Sequence, residues 1–138
     1  MTGDLVLSML GSPAAAGLAR TMAAERLRKW GHFHLNDDVA LIVAELVANA
    51  AEATPRAEIR FQLSRDGYGI VIAVWDSSAA LPVAKPVVEM SLDDLDISEE
   101  SFDANGGWGL PIVAALSSAC GCTADPAGGK WIWARLTP

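Results

Sequence analysis

The stretch that decides the fold is DDVALIVAELVANAAEA, residues 37–53, in which Glu45 and Asn49 stand one helical turn apart among apolar side chains. At about 100° per residue, both fall in a helical sector roughly 60° wide that also holds Asp38 and Glu52. An ordinary surface helix presents a wider polar face to water. The narrow strip is therefore either a solvated edge or a polar seam facing a ligand, because buried polar groups need partners.

The rest of the chain predicts elements in the order β-α-α-β-β-loop-α-β-β. The strands are expected at 5–10, 58–64, 70–75, 120–125 and 130–136. The first helix is expected to be capped by Ser12 and closed by Gly31. The second helix should begin at Asn36 or Asp37 and end near Thr54-Pro55, and the third should begin at Leu110. This order predicts an α/β two-layer sandwich, with three helices on one face of a mixed, mostly antiparallel sheet.

Length and composition favour one compact domain over residues 1–138. The chain has 138 residues, of which 51% are hydrophobic, and that is enough to bury a core. It has no apolar run of the roughly 18 residues that a bilayer span needs, and no basic start typical of a signal peptide. We therefore expect a cytoplasmic protein that does not enter a membrane.

The charge of the chain is uneven. The formal net charge is −7, which argues against nonspecific nucleic-acid binding. Seven of the 17 acidic residues lie within 89–103, and the other ten are balanced by ten basic residues. They belong to a long non-periodic stretch, about 77–105, which favours a lid or binding loop. The acidic cluster either docks a basic surface of a protein partner or is a solvated charge run.

Two further features suit a nucleotide. Gly106-Gly107-Trp108-Gly109 leads into a predicted helix. Such a glycine-rich turn either binds an anion through its backbone N–H groups, or its glycines only allow the chain to turn tightly. It lacks the Gly-Lys-Ser/Thr ending of a P-loop. Asp76 ends the apolar strand 70–75, where its carboxylate suits an exocyclic amino group such as that of adenine. Its alternative role is to cap the following loop through an Asx turn.

A metal-binding alternative comes from two closely spaced pairs, His32 with His34 and Cys120 with Cys122. Histidine and cysteine are zinc ligands, so the four side chains invite a zinc site. Nothing in the sequence brings the two pairs together, and cysteine is common as a small buried hydrophobe. The structural role is favoured for both cysteines.

Taken in chain order, these motifs resemble the nucleotide-binding boxes of the Bergerat-fold (GHKL, histidine-kinase-like) ATPases. Glu45-x-x-x-Asn49 resembles the N box, Asp76 opens the first glycine box, and Gly107-Trp108-Gly109-Leu110 resembles the second. That superfamily includes histidine kinases, gyrase-type topoisomerases and heat-shock chaperones. Within it, the short chain, ELVANAAEAT and the ending GGKWIWARL look most like the anti-sigma-factor serine kinases and their actinobacterial relatives. The resemblance covers nearly the whole chain.

The resemblance implies a set of roles for matching residues. Asn49 is implied as the ligand of Mg²⁺, and Glu45 as the general base that activates a hydroxyl or water. Asp76, with Ser78 beside it, is implied to bind the adenine of ATP. The segment Gly107, Trp108, Gly109 and Leu110 is implied to hold the phosphates. The implied partner is a sigma factor or an antagonist protein, with a homodimer of this chain as a further possibility.

The sequence departs from the superfamily pattern at several positions. The first glycine box reads Asp76-Ser77-Ser78-Ala79-Ala80, so both of its glycines are replaced. Trp108 stands where arginine is common, and Glu52-Ala53 stands where Arg-His often follows the N box. These changes leave few basic residues for phosphate. The alternative function is therefore a non-catalytic protein-binding module with weak or no affinity for ATP, and whether the chain is an enzyme stays open.

Overall fold

The computed structural model describes residues 4–78 and 110–137. The described strands are β1 (Leu5–Leu10), β2 (Glu58–Asp66), β3 (Gly69–Asp76), β4 (Ala119–Ala124) and β5 (Lys130–Leu136), and the helices are α1 (Ala15–Trp30), α2 (Asn36–Ala53) and α3 (Leu110–Leu116). A 3-10 turn, Phe33–Leu35, leads directly into α2.

The strands form one five-stranded sheet in the order β1-β2-β3-β5-β4. Each pairing between described strands is antiparallel, and β3, the central strand, pairs with both β2 and β5. The predicted fold class, an α/β two-layer sandwich with a mostly antiparallel sheet, is confirmed, and the described ranges contain the three expected helices. The parallel pairing that a mixed sheet would have is not found among the described strands, because each of their pairs is antiparallel. The prediction of a single domain over 1–138 with an acidic loop stays a prediction, because residues 79–109 lie outside the described part of the chain.

Alternation along the strands decides which side chains face the helices. In β3 the buried positions are Ile70, Ile72 and Val74, and Asp76 continues the same face. In β5 the buried positions start at Lys130 and continue with Ile132, Ala134 and Leu136. These residues meet the buried face of α2, which comprises Val39, Ile42, Val43, Leu46, Val47 and Ala50. Two ionisable side chains, Asp76 and Lys130, are therefore carried to the helix-facing side of the sheet.

The ends of the first two helices follow the sequence prediction only in part. Gly31 does close α1, in the left-handed conformation at φ 79° that glycine adopts without strain. The predicted cap at Ser12 is wrong: the Ser12 carbonyl accepts from the Ala15 N–H in a turn, and the helix begins at Ala15 without a side-chain cap. A cap at Asn36 or Asp37 is also wrong, because the preceding 3-10 turn supplies the helical start.

The hairpin between β2 and β3 is tighter than the sequence indicated. The predicted turn spanned 65–69, whereas the strands continue to Asp66 and resume at Gly69. The Asp66 carboxylate accepts hydrogen bonds from the N–H groups of Tyr68 and Gly69 at 2.8 and 2.9 Å. This side-chain closure lets the ladder extend, since it satisfies the turn's donors.

Among the described residues, no helix is both long enough and apolar enough to cross a bilayer.

Candidate functional site

Asp76 carries a carboxylate that is almost completely buried. It is the last residue of β3, and it pairs in register with Ile59 of β2 and Lys130 of β5. Its exposed fraction is 1%, against 4% for Lys130. Carboxylates and ammonium groups are rarely buried this fully unless they are paired.

The two oxygens of Asp76 are in different surroundings. Oδ1 accepts from Lys130 Nζ at 2.8 Å and from the backbone N–H of Ser78 at 2.9 Å. Oδ2 is buried and has no hydrogen-bond partner among the residues that the structure describes. The Asx-turn role predicted for Asp76 is thus present at one oxygen. The other oxygen is an acceptor without a donor, which is costly to bury and favours a ligand that supplies an N–H.

Lys130 belongs to this site and was not singled out from the sequence. Its ammonium lies against Asp76 Oδ1 and is 3.5 Å from the Ser78 carbonyl oxygen, so two of its three donors are directed at neighbours. The available signal was alternation in β5, which places Lys130 on the same face as Ile132. The positive charge of Lys130 is thus already paired with the negative charge of Asp76.

Cys122 of β4 lies near the ion pair and remains a thiol. Burial raises its pKa above the ordinary value, and the negative charge of Asp76 raises it further, while the positive charge of Lys130 opposes the shift. The site therefore combines the Asp76–Lys130 ion pair with a cysteine whose raised pKa disfavours the thiolate. Cys120 and Cys122 also pack against the core as small hydrophobes.

The helix α2 carries the predicted polar seam. Glu45 and Asn49 are half-buried, and Asn49 takes part in a polar interaction. The neighbouring Leu41 is 50% exposed, whereas Ile42 is completely buried. The seam therefore runs along the boundary between the core and solvent. Helix α2 itself packs on β3, the strand that ends in Asp76, and on α3.

Glu52, the last residue of the seam, also borders a groove. It lines an open groove of about 330 Å³ together with Ser12 and Pro13 of the β1–α1 turn and Ala48 of α2. Glu45, Asn49 and Asp76 do not line this groove. Of the four residues that shared the helical sector in sequence, only Glu52 lines this groove.

The other predicted site residues are described only in part. Ser78 is half-buried, and its backbone contacts both Asp76 and Lys130. Leu110 is the first residue of α3. Gly107, Trp108 and Gly109, the predicted phosphate contacts, lie outside the described residues. The roles assigned to all of these residues stay predictions.

The zinc alternative finds no support in the described ranges. Within 4–78 and 110–137 there is no group of three or more His, Cys, Asp or Glu side chains that could hold a metal ion. His32 and His34 contact each other edge to face, with 5.8 Å between ring centroids.

Comparison with known proteins agrees with the fold. Residues 10–136 match the family model described as the histidine kinase-like ATPase domain. Since the match covers nearly the whole chain, this protein belongs to the histidine kinase-like ATPase domain family. A search of the curated proteins with this chain finds no match.

Proposed function

We propose that this protein binds Mg-ATP and acts on a protein partner in transcriptional control, in the manner of an anti-sigma-factor serine kinase. The observation that carries the proposal is the buried Asp76 Oδ2, an acceptor without a partner among the described residues, at the end of the central strand. The exocyclic amino group of adenine is a donor of the kind that this oxygen lacks. Family membership supports the same ligand.

Mg²⁺ would be held by Asn49. This ion favours a few protein oxygens together with waters and phosphate oxygens, and one carboxamide oxygen fits that preference. Helix α2, which carries Asn49, packs on the strand that ends in Asp76. The phosphates would be bound by backbone N–H groups around Gly107 and Gly109, as the resemblance implies.

Glu45 would act as the general base, one helical turn before Asn49. The Glu45 carboxylate accepts the proton of a serine hydroxyl on the partner, and the serine oxygen bonds to the γ-phosphorus of ATP. The bond between this phosphorus and the β–γ bridging oxygen breaks, and ADP leaves. Phosphoryl transfer depends mainly on positioning and charge neutralisation, which a base and one metal ligand on the same helix support.

The partner would be a sigma factor or an antagonist protein that presents a serine, and a homodimer of this chain would be compatible with that role. The acidic residues of 89–103 would dock a basic surface of the partner and speed encounter at low ionic strength.

A second function is favoured by the pairing of Lys130 with Asp76. This basic side chain is committed to Asp76, and both glycines of the first glycine box are replaced. With few basic side chains left for a triphosphate, the second proposal is a binding module that uses the fold without phosphotransfer. The two functions differ in their affinity for ATP.

Calorimetric titration of the purified protein with Mg-ATP separates them. The kinase proposal expects saturable heat with one site per chain, and phosphate transfer to a serine of the bound partner. A sample that is folded by circular dichroism but gives no heat supports the binding module instead. Asn49→Ala should weaken binding in the presence of Mg²⁺ and have little effect in its absence, which tests the metal role directly.

A further inference from the structure

We infer that the free edge of β1 is an interface between two copies of this chain, which pair antiparallel through their β1 strands about a two-fold axis at Ser8. The inference rests on strand geometry and not on the nucleotide site, so a failure of ATP binding leaves it untouched. It gives the homodimer that is compatible with the proposed function a surface, a register and the residues that meet.

The backbone of β1 presents hydrogen-bonding groups at the edge of the sheet. β1 is the first strand in the order of the sheet, and among the described residues it pairs only with β2. The pairing is regular, and the next residue, Gly11, donates from its N–H to the Ala57 carbonyl oxygen at 2.8 Å. In an antiparallel ladder, the backbone groups of every second residue point to the same partner strand. The N–H and C=O groups of Val6, Ser8 and Leu10 therefore point away from β2.

The side chains of β1 lack the features that keep an edge strand from pairing. Exposed edges are usually protected by charged residues, proline or a bulge. The segment Leu5–Leu10, LVLSML, has none of them. Val6 is 62% exposed and Leu10 is 64% exposed, and both lie on the face away from the helices, because Leu5 and Met9 are buried on the other face. A second strand at this edge therefore buries apolar surface as well as backbone groups.

A second copy of β1 fits this edge because the strand is self-complementary about Ser8. With the axis at Ser8, Val6 of each copy lies opposite Leu10 of the other, so the exposed apolar side chains cover each other. The same register puts the outward N–H and C=O groups of these residues into hydrogen-bonded pairs, and β1 has no charge that its copy would repel. An axis at Leu7 would instead place the Asp4 carboxylate opposite Leu10. The symmetric pair uses the β1 edge of both copies, so assembly stops at the dimer.

The central test places proline at the axis. Ser8→Pro removes an N–H that points away from β2, and an edge strand tolerates proline in that orientation. In sedimentation equilibrium wild type should have about twice the chain mass of 14.5 kDa, and Ser8→Pro, folded by circular dichroism, should raise the dissociation constant of the dimer about tenfold or more. Ser8→Ala is the matched control. It loses the hydroxyl that donates to Glu58 but keeps the backbone N–H, and should stay dimeric.

A cysteine at the axis tests the register. Residues that form a hydrogen-bonded pair across an antiparallel ladder have Cα atoms about 5.5 Å apart, which a disulfide can span. Ser8→Cys should therefore form a covalent dimer under mild oxidation, whereas Thr21→Cys, at an exposed position on α1, should not. Both variants keep Cys120 and Cys122, so wild type oxidised in parallel gives the background.

Each outcome decides for or against the interface. A monomeric wild type overturns the inference, and so does a dimer that folded Ser8→Pro leaves intact, because the copies then meet elsewhere. Assemblies larger than a dimer contradict a closed two-fold pair. A dimer in which Ser8→Cys cross-links no more than Thr21→Cys contradicts the register. If Ser8→Pro does not fold, Leu10→Lys decides, with Leu18→Lys as the control at another exposed leucine: loss of the dimer in Leu10→Lys alone supports the interface, and any other result overturns it.

Discussion

Lys130 Nζ lies 2.8 Å from Asp76 Oδ1 across the β3–β5 ladder, and both side chains are almost completely buried. The pair joins residues that are 54 positions apart in sequence. It thereby links β5 to the end of β3, the central strand, at the place where the nucleotide base is proposed to bind.

Breaking this pair should destabilise the protein more than removing it. Lys130→Met leaves a buried carboxylate without a counter-charge, and we expect the free energy of unfolding to fall by about 3–5 kcal/mol. The double variant Asp76→Leu/Lys130→Met has no buried charge and should recover most of that loss. Urea unfolding of wild type, both single variants and the double variant measures the coupling. Additive losses would show that the two groups do not interact in the folded state.

On the sheet face opposite the helices, Trp133 of β5 packs closely over Gly121 of β4. A Cβ atom built on Gly121 would lie 2.9 Å from the Trp133 ring, which is closer than side chains pack. Gly121→Ala should therefore displace Trp133 and lower the free energy of unfolding by about 1–3 kcal/mol. Gly67→Ala is the matched control, because a Cβ atom built there meets no heavy atom within 4 Å apart from its chain neighbours. Urea unfolding and tryptophan emission test both variants, and equal stabilities would contradict the close packing.

Acid should weaken the fold through the Asp66 carboxylate. Hydrogen bonds from Arg135, first, and from the Tyr68 N–H hold the pKa of Asp66 below its ordinary value of 3.8. A lowered folded-state pKa gives stability that is complete above the unfolded value and is lost as the pH falls through the folded value. Unfolding by urea at pH 7 and pH 3 should therefore show a smaller pH effect in Asp66→Asn than in wild type. Equal pH effects would contradict this role.

The proposed catalytic helix predicts two different defects. Glu45→Ala should abolish phosphotransfer and leave the Kd of Mg-ATP within about twofold, since a base acts mainly in the transition state. Asn49→Ala should weaken Mg-ATP binding itself, because it removes a metal ligand. Titration calorimetry and a phosphotransfer assay on the same preparations separate the effects. Equal losses of binding in both variants would contradict the assigned roles.

Features that depend on local sequence were predicted well. The sequence predicted β1 at its observed bounds, Leu5–Leu10, and identified Gly31 as the end of α1. The incorrect predictions were helix starts: Ser12 and Asn36 are good caps locally, but adjoining turns supply the start of each helix instead. The order of motifs along the chain was enough to predict the family.

The part of the site that sequence reasoning missed depends on register. Asp76 was identified from its place at a strand end, yet its partner Lys130 is brought opposite by the pairing of β3 with β5. No local pattern specifies that pairing, and lysine is seldom buried. Glu52 was grouped with Glu45 by helical angle alone, and that angle did not predict the groove that Glu52 lines together with the β1–α1 turn.

The most direct test of the central claim is calorimetric titration of wild type and Asp76→Asn with Mg-ATP under identical conditions. The account predicts one saturable site in wild type and an affinity about tenfold to a hundredfold lower in Asp76→Asn, because the substitution replaces the free acceptor with a donor. Circular dichroism should confirm that both proteins are folded. Equal ATP affinity in the two folded proteins, or no binding by wild type, would contradict the claim that Asp76 recognises adenine.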